Sequence, residues 1–517
     1  MKNLFNSIKL TKPSKNSFDL SHDVKLSTNM GQLTPILALE CVPGDKFNLG
    51  CESLVRFSPL IAPVMHRMDV SMHYFFVPNR ITWANWEKFI TDANSGVVSP
   101  YLNWSQADAA YWEAVYPNSK ITKTFDYIGV PPPTTGTASQ RINALPFAAY
   151  QCIYNEYYRD QNLQSPVPYK LKDGNQNVGS AGETDYVALT TLRNRAWEHD
   201  YFTSSLPFAQ KGAAVDIPIG LVEGDLPVYL NSSSGTSLNG TPSSVNVAAQ
   251  GGRTDVPVDS LYADSSNAEI EPTTINDLRR AFRLQEWLEK NARGGTRYIE
   301  SILSHFGVRS SDARLQRPEY ITGVKTPVVV SEVLNTTGQT EGLVQGNMAG
   351  HALSISSGKS GSYYCEEHGY IIGIMSVMPK TAYQQGIPKT FLKNDTLDYY
   401  FPSFANIGEQ PVTKNELYAY TANAEETFGY VPRYAEYKFM PSRVAGEFRT
   451  SLKYWHLGRI FETEPNLNST FIECKPQDTT RIFAVPDVED GEDSLYCHVY
   501  NKIQAVRPMP KYGTPSF

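Results

Sequence analysis

The 517-residue sequence has no run of eighteen or more apolar residues, so no segment is long enough to cross a bilayer as a helix. Its first fifteen residues, MKNLFNSIKLTKPSK, are interrupted by polar residues and lysines. They lack an apolar signal-peptide core, which argues against export by that route. Cysteine is sparse: Cys41, Cys51, Cys152, Cys365, Cys474 and Cys497 lie far apart. That spacing excludes a disulfide framework and points to reduced, mostly buried thiols. Charged residues are also few, at 19% against roughly 25% in ordinary soluble domains. With 41% hydrophobic residues the chain can bury a sizeable core, so wholesale disorder is excluded.

Catalytic motifs are missing too. Gly358-Lys359-Ser360 looks like the end of a phosphate-binding loop, but Leu353 stands where the first glycine is required. There is no Gly-x-Gly-x-x-Gly after a strand and no His-Glu-x-x-His. Cys365-Glu366-Glu367-His368 is half of a zinc spacing with no second pair, and Cys497-His498 are simply adjacent. Glu198-His199-Asp200 are consecutive, so their side chains diverge and read as a solvated face rather than a proton relay. No cofactor, metal or enzymatic activity is expected.

Turn residues and aromatics are abundant: 35 Gly, 34 Pro and 31 Tyr. Such a chain turns often and suits pleated, half-buried surfaces. Its length fits roughly three domains, or one core with large insertions. Alternation over 68–77 predicts a strand stopped by Pro78-Asn79. Further strands are predicted over 324–333, 349–356, 363–378, 444–455, 471–474 and 496–507, with a small helical signal over 83–90. Strands that do not alternate with helices imply an antiparallel sandwich or barrel. No fixed-period repeat is visible.

Charge is distributed unevenly. Residues 216–272 hold eight acids, among them Asp225, Asp255, Asp259 and Asp264, and one base. That net of −7 equals the net charge of the whole chain. The segment is rich in Ser, Gly and Asn and reads as a surface insertion from a folded body. Residues 277–317 are basic, with nine bases and five acids. Leu278, Ala281, Phe282, Leu288 and Ala292 share a helical face that ends at Gly294-Gly295. Ile299, Ile302, Leu303 and Phe306 make a second helix that ends at Gly307.

Both ends are basic. Lys2, Lys9, Lys12, Lys15 and Lys25 mark residues 1–25 as a basic arm. Lys502, Arg507 and Lys511 mark 502–517 as a basic strap, extended by Pro508, Pro510 and Pro515. Tyr512 and Phe517 could stack on unpaired bases, so these ten residues are the candidate DNA contacts. Tyr399, Tyr400, Phe404, Tyr430, Arg433 and Tyr434 belong to the stretches 399–404 and 430–440. Residue types enriched in buried interfaces place them as candidate subunit contacts; the alternative is that they fill the chain's own core.

Five long blocks carry a family resemblance. They are SFDLSHDVKLSTNMGQLTPI (17–36), SLVRFSPLIAPVMHRMDVSMHYFFVPNR (53–80), DLRRAFRLQEWLEKNARGGTRYIESILSHFGVRSSDARLQRPEY (277–320), GNMAGHA (346–352) and the terminal AVRPMPKYGTPSF. The chain resembles the major capsid proteins of microviruses, small icosahedral single-stranded DNA bacteriophages, in their gokushovirus branch. The resemblance implies a mainly β fold: an eight-stranded antiparallel jelly roll over 26–517, with long inserted loops and a few short helices. It implies a T=1 shell of sixty copies, built through pentamers, around a circular genome. It makes 216–272 a three-fold projection toward a host surface receptor.

Implied partners are further copies of the chain, the single-stranded DNA genome, a small basic DNA-packaging protein, an internal scaffolding protein and a DNA-pilot protein. The implied location is the virion, after synthesis in the bacterial cytoplasm, without membrane insertion. Two readings compete from the residues alone. A β-rich carbohydrate-binding protein or glycoside hydrolase fits the aromatics. A monomeric single-strand-binding protein fits the basic ends but not the net charge of −7.

Overall fold

The computed structural model describes residues 14–512 without 134–138, 177–178, 214, 296, 337–347, 359 and 485–492. Within 216–274 it describes only short strands, 220–221, 228–230, 237–238, 248–249, 252–253, 261–263 and 270–271, and over 179–184 the backbone alone. Two antiparallel sheets share one core. The larger contains β1 (Asn16–Asp19), β2 (His22–Thr28), β4 (Lys46–Phe57), β7 (Val329–Leu334), β8 (Met348–Ser357), β9 (Gly361–Tyr364) and β11 (Leu495–Arg507). The smaller runs β6 (Glu319–Pro327), β5 (Met68–Pro78), β10 (Gly369–Pro379), β3 (Thr34–Cys41).

The alternation along β5 decides which side chain meets which layer. Val70, Met72, Tyr74 and Phe76 enter the core between the sheets, with Phe47, Val55, Ile371, Val499 and Ile503. Phe75 and Val77 point the other way into a second core. A one-residue slip would exchange the two sets, so the register is strongly specified. β10 is buried at all eleven positions, because the second core covers its other face as well. That is why its sequence is continuously apolar rather than alternating.

The covering layer is helical: α1 (Gln106–Val115), α2 (Ile121–Ile128), α3 (Leu145–Ile153) and α4 (Gly179–Thr190). Trp104 stacks on Phe125 at 3.9 Å, and Phe125 meets Phe147 at 4.5 Å. The sequence predicted a few short helices and missed this layer. It also marked 83–90 as one helical signal, where the chain makes two short helices, Asn79–Thr82 and Trp86–Thr91.

Other expectations change in detail. The run 363–378 is two strands in different sheets, separated at Cys365–His368 where the chain crosses between layers. Residues 444–455 form no strand. Two 3-10 turns, Gly446–Arg449 and Lys453–Trp455, satisfy the backbone locally. Residues 471–474 follow an Asn468 cap whose side chain accepts from the Phe471 N–H, and Ser469–Ile472 is helical. Within the expected arm, residues 16–19 and 22–25 lie in β1 and β2; within the expected strap, 502–507 complete β11, on which both pair.

Buried polar groups tie the layers. Tyr74 donates to Asn501 Oδ1 at 2.8 Å, and Asn501 Nδ2 donates to the Ile36 carbonyl at 3.0 Å. Asp493 accepts from Ser27, Asn29 and Lys123 at 2.8, 2.7 and 2.5 Å. All six cysteines are free and buried. Gly31, at φ +83°, makes the β2–β3 turn, where a Cβ would lie 2.2 Å from the Cys474 carbonyl oxygen. Among the described residues no helix is long and apolar enough to cross a membrane.

Residues 210–294 form a second compact unit. Its helix α5 (Ile275–Gly294) ends where the glycine pair predicted. Ala292 is buried, while Phe282, assigned to the same face, is 64% exposed. The segment expected as a surface insertion carries short antiparallel strands: Val228–Leu230 pairs with Ser237–Leu238 and with Leu261–Ala263. Gly220–Leu221 pairs with Ile270–Glu271. In the first unit, α6 (Tyr298–Phe306) ends at Gly307 in the left-handed region, as predicted.

Candidate assembly surface

Between β10 and β11 the chain makes a long excursion with its own core. The hairpin of Glu409–Thr413 and Thr427–Pro432 contributes Val412, Phe428 and Val431, packed with Tyr201, Phe202, Tyr383 and Phe471. Tyr383 donates to Asp200 at 2.6 Å, and Tyr201 donates to Glu416 at 2.9 Å. Asp200 also caps a turn by accepting from the Phe202 and Thr203 N–H groups. It is buried, so the predicted solvated face at 198–200 is incorrect there.

Glu198 sits with Asp69 between Lys325 and Lys380, and both lysines contact both carboxylates. Burial alone would raise the Glu198 carboxyl, but hydrogen bonds from the two lysines hold it down at about 2.

The excursion turns an aromatic surface outward. Phe391, Tyr399, Tyr400, Phe401, Tyr420, Tyr437 and Met440 are all exposed, Met440 at 89%. Of these, Tyr399, Tyr400 and Tyr437 are gathered round Lys393 and Tyr434, and exposed rings so grouped mark a contact surface rather than ordinary scatter. Lys393 supports the patch from below, 3.8 Å from the Tyr437 ring and 3.0 Å from Glu436. Tyr400, Tyr434 and Tyr437 cluster with ring centroids 5.3–6.4 Å apart.

The predicted contact residues divide. Tyr399 and Tyr400 are surface residues, and Phe404 is half-buried against Phe401 at 5.8 Å. Tyr434 is only 2% exposed and belongs to the chain's own core, which corrects its assignment as a contact. Its hydroxyl donates to the carbonyls of Leu397 and Tyr399, and Arg433 donates to Leu397 at 2.6 Å. These two residues position the patch rather than form it. Tyr430 is held by paired backbone hydrogen bonds to Leu206. Phe391 and Tyr420 were missed because no periodicity marks them; only Tyr420, two residues from Tyr418, carried a signal of local aromatic density.

The candidate DNA contacts also divide. Lys25 and Lys502 are exposed on the outward face of the larger sheet. Lys25 borders a shallow depression shared with Leu54, Arg56, Tyr496 and His498, of which Arg56 and Tyr496 escaped the sequence reading. Arg507 is committed to buried Asp45. Lys15 donates to the Gly44 carbonyl at 2.6 Å and lies over the Tyr364 ring. Lys511 and Tyr512 are exposed neighbours. Lys2, Lys9, Lys12 and Phe517 lie outside the described residues, as do the four aspartates of the expected projection, Asp225, Asp255, Asp259 and Asp264.

Two sheets over a common core, buried carboxylates spent on internal ties and an outward aromatic patch define a structural protein that works through its surfaces. The family model described as "Capsid protein (F protein)" matches residues 7–517, and the chain belongs to that family. It is similar to the capsid protein VP1 of Chlamydia phage 1, at 35% identity over 100% of this chain and 98% of the relative. It is 36% identical to VP1 of Bdellovibrio phage phiMH2K and 31% identical to VP1 of Spiroplasma virus 4, each over 97% of this chain and 95% of the relative. This is a major capsid protein of a gokushovirus-like microvirus, a structural component of the virion and not an enzyme.

Proposed function

We propose that this protein folds as a jelly roll whose copies close a T=1 shell of sixty subunits, built through pentamers, around a circular single-stranded DNA genome. The observation that carries the reading is the exposed aromatic surface of the β10–β11 excursion, held in place by Tyr434, Arg433 and Lys393. Rings on a fixed support lose little freedom on contact and supply the apolar area that interface cores use. A symmetric shell repeats each such contact, so modest individual contacts sum to a stable particle.

The genome is guided by scattered cations and stacking rather than neutralised by this chain. The basic ends carry only +3 each, whereas phosphate neutralisation scales with the number of cations supplied. A small basic packaging protein therefore does most of that work, alongside an internal scaffolding protein and a DNA-pilot protein. The acidic 216–272 insertion is the three-fold projection and meets a host surface receptor.

Expression with the scaffolding partner, followed by sedimentation and negative-stain microscopy, tests the reading. Closed particles of uniform diameter are expected. A stable monomer under all assembly conditions refutes it.

A further inference from the structure

Strand β7 ends the larger sheet, with β8 on one side and no strand pairing its other edge among the described residues. Its sequence is Val329-Val330-Ser331-Glu332-Val333-Leu334, and every residue but Val330 is exposed. Val329 is 66% exposed, Val333 53% and Leu334 46%. A free edge presents a row of unpaired backbone donors and acceptors, and proteins normally guard it with lysine, proline, bulges or shortness.

The other edge strands of the two main sheets carry such guards. β6 has a bulge at Tyr320/Thr322, Lys325 and a terminal Pro327. β3 contains Pro35; along β11, β1 is four residues long and β2 carries Lys25. β7 has no lysine, proline or bulge: its one charge is Glu332, on the same face as Val330, and its register with β8 runs unbroken from Val329↔Leu353 to Leu334↔Met348.

We propose that the outer edge of β7 pairs antiparallel with the same edge of a second copy of this chain, across a two-fold axis centred on Ser331. The inference rests on the shell reading above. Its register follows from the side chains. Val330 packs on the sandwich core, so Val329, Ser331 and Val333 share the opposite face. A two-fold axis normal to the sheet keeps both cores on one side only when a residue lies opposite its own copy.

Centred on Ser331, Val329 meets Val333 of the second copy and Glu332 meets Val330, so no like charges face each other. Centred on Glu332, two carboxylates would stand directly opposite, which is unfavourable. These are the two centres that pair five of the six strand residues, and of them only Ser331 keeps the carboxylates apart. Pairing satisfies its free backbone groups and covers its valines in the same step.

The test is Ser331→Cys in the full chain, assembled with its scaffolding partner and treated with a short bis-maleimide. The six native cysteines are buried, so background is low. Ser357→Cys, exposed on β8 away from the edge, is the control. A covalent dimer on a denaturing gel is expected from Ser331→Cys particles and not from the control. Val333→Lys, on the same edge, should cut particle yield at least tenfold while the subunit keeps its thermal midpoint. Intact Ser331→Cys particles that give only monomer, or a cross-link to another polypeptide, overturn the pairing and leave the shell reading standing. If the unsubstituted chain forms no particles, the shell reading falls and the pairing with it.

Discussion

Arg507 donates two hydrogen bonds to one oxygen of Asp45, from Nε at 3.1 Å and Nη2 at 2.8 Å, across 462 residues of sequence. Asp45 is fully buried, and the same oxygen accepts from the Val42 N–H at 3.0 Å. The pair locks the end of β11 onto the β3–β4 turn. A residue that resembled a DNA contact in the sequence is a structural tie.

Arg507→Ala should therefore destabilise the subunit by about 3–5 kcal/mol, since it leaves a buried charge without its partner. Urea unfolding measures this. A variant with unchanged stability and weakened DNA binding would contradict the structural role.

Tyr74→Phe should cost about 1–3 kcal/mol, because it strips the buried Asn501 oxygen of its donor across the sandwich. The loss should register as a lower urea midpoint with an unchanged slope, as the core volume is kept.

The outer rings and their support should respond differently. Tyr400→Ser and Tyr437→Ser should leave stability within about 0.5 kcal/mol, as exposed substitutions do, yet sharply reduce particle yield. Tyr434→Ala should instead unfold the subunit more easily, by about 3–5 kcal/mol. Thermal melts paired with sedimentation separate the two; equal effects on both readouts would argue against the division.

Acid should weaken the subunit in two stages. Burial keeps the His66 and His73 imidazoles neutral, pushed down to about 4, with repulsion from nearby cations adding to it. In the unfolded chain they protonate near 6.5. Stability is then greatest above that value, falls as pH drops below it, and its histidine share is lost once pH passes about 4. Glu198, held at about 2, adds a second loss below the ordinary carboxylate range. Urea midpoints at pH 7, 5.5 and 4.5 should decline, and the His66→Gln/His73→Gln double variant should flatten the slope. A flat profile in the unsubstituted chain would contradict this.

The sequence by itself determined the period-two pattern of β5, the apolar run of β10, the glycine stops of α5 and α6, the scarcity of disulfide chemistry and the family. Each is written in residues adjacent or nearly adjacent in the chain, where side-chain periodicity and backbone permissiveness act directly. Only the tertiary structure decided the rest. The helical layer over the smaller sheet was hidden because α1, α2 and α3 are short, and in α3 every residue except Pro146 is buried, which erases any helical alternation. The patterns at 444–455 and 471–474 suggested strands, but each meets its neighbour only at an isolated bridge, Arg443 beside Tyr383 and Glu473 beside Ala196, and otherwise turns on itself. Whether an aromatic faces outward as Tyr400 does or inward as Tyr434 does depends on which distant backbone carbonyls it can reach, here those of Leu397 and Tyr399. Those neighbours exist only once the chain has folded.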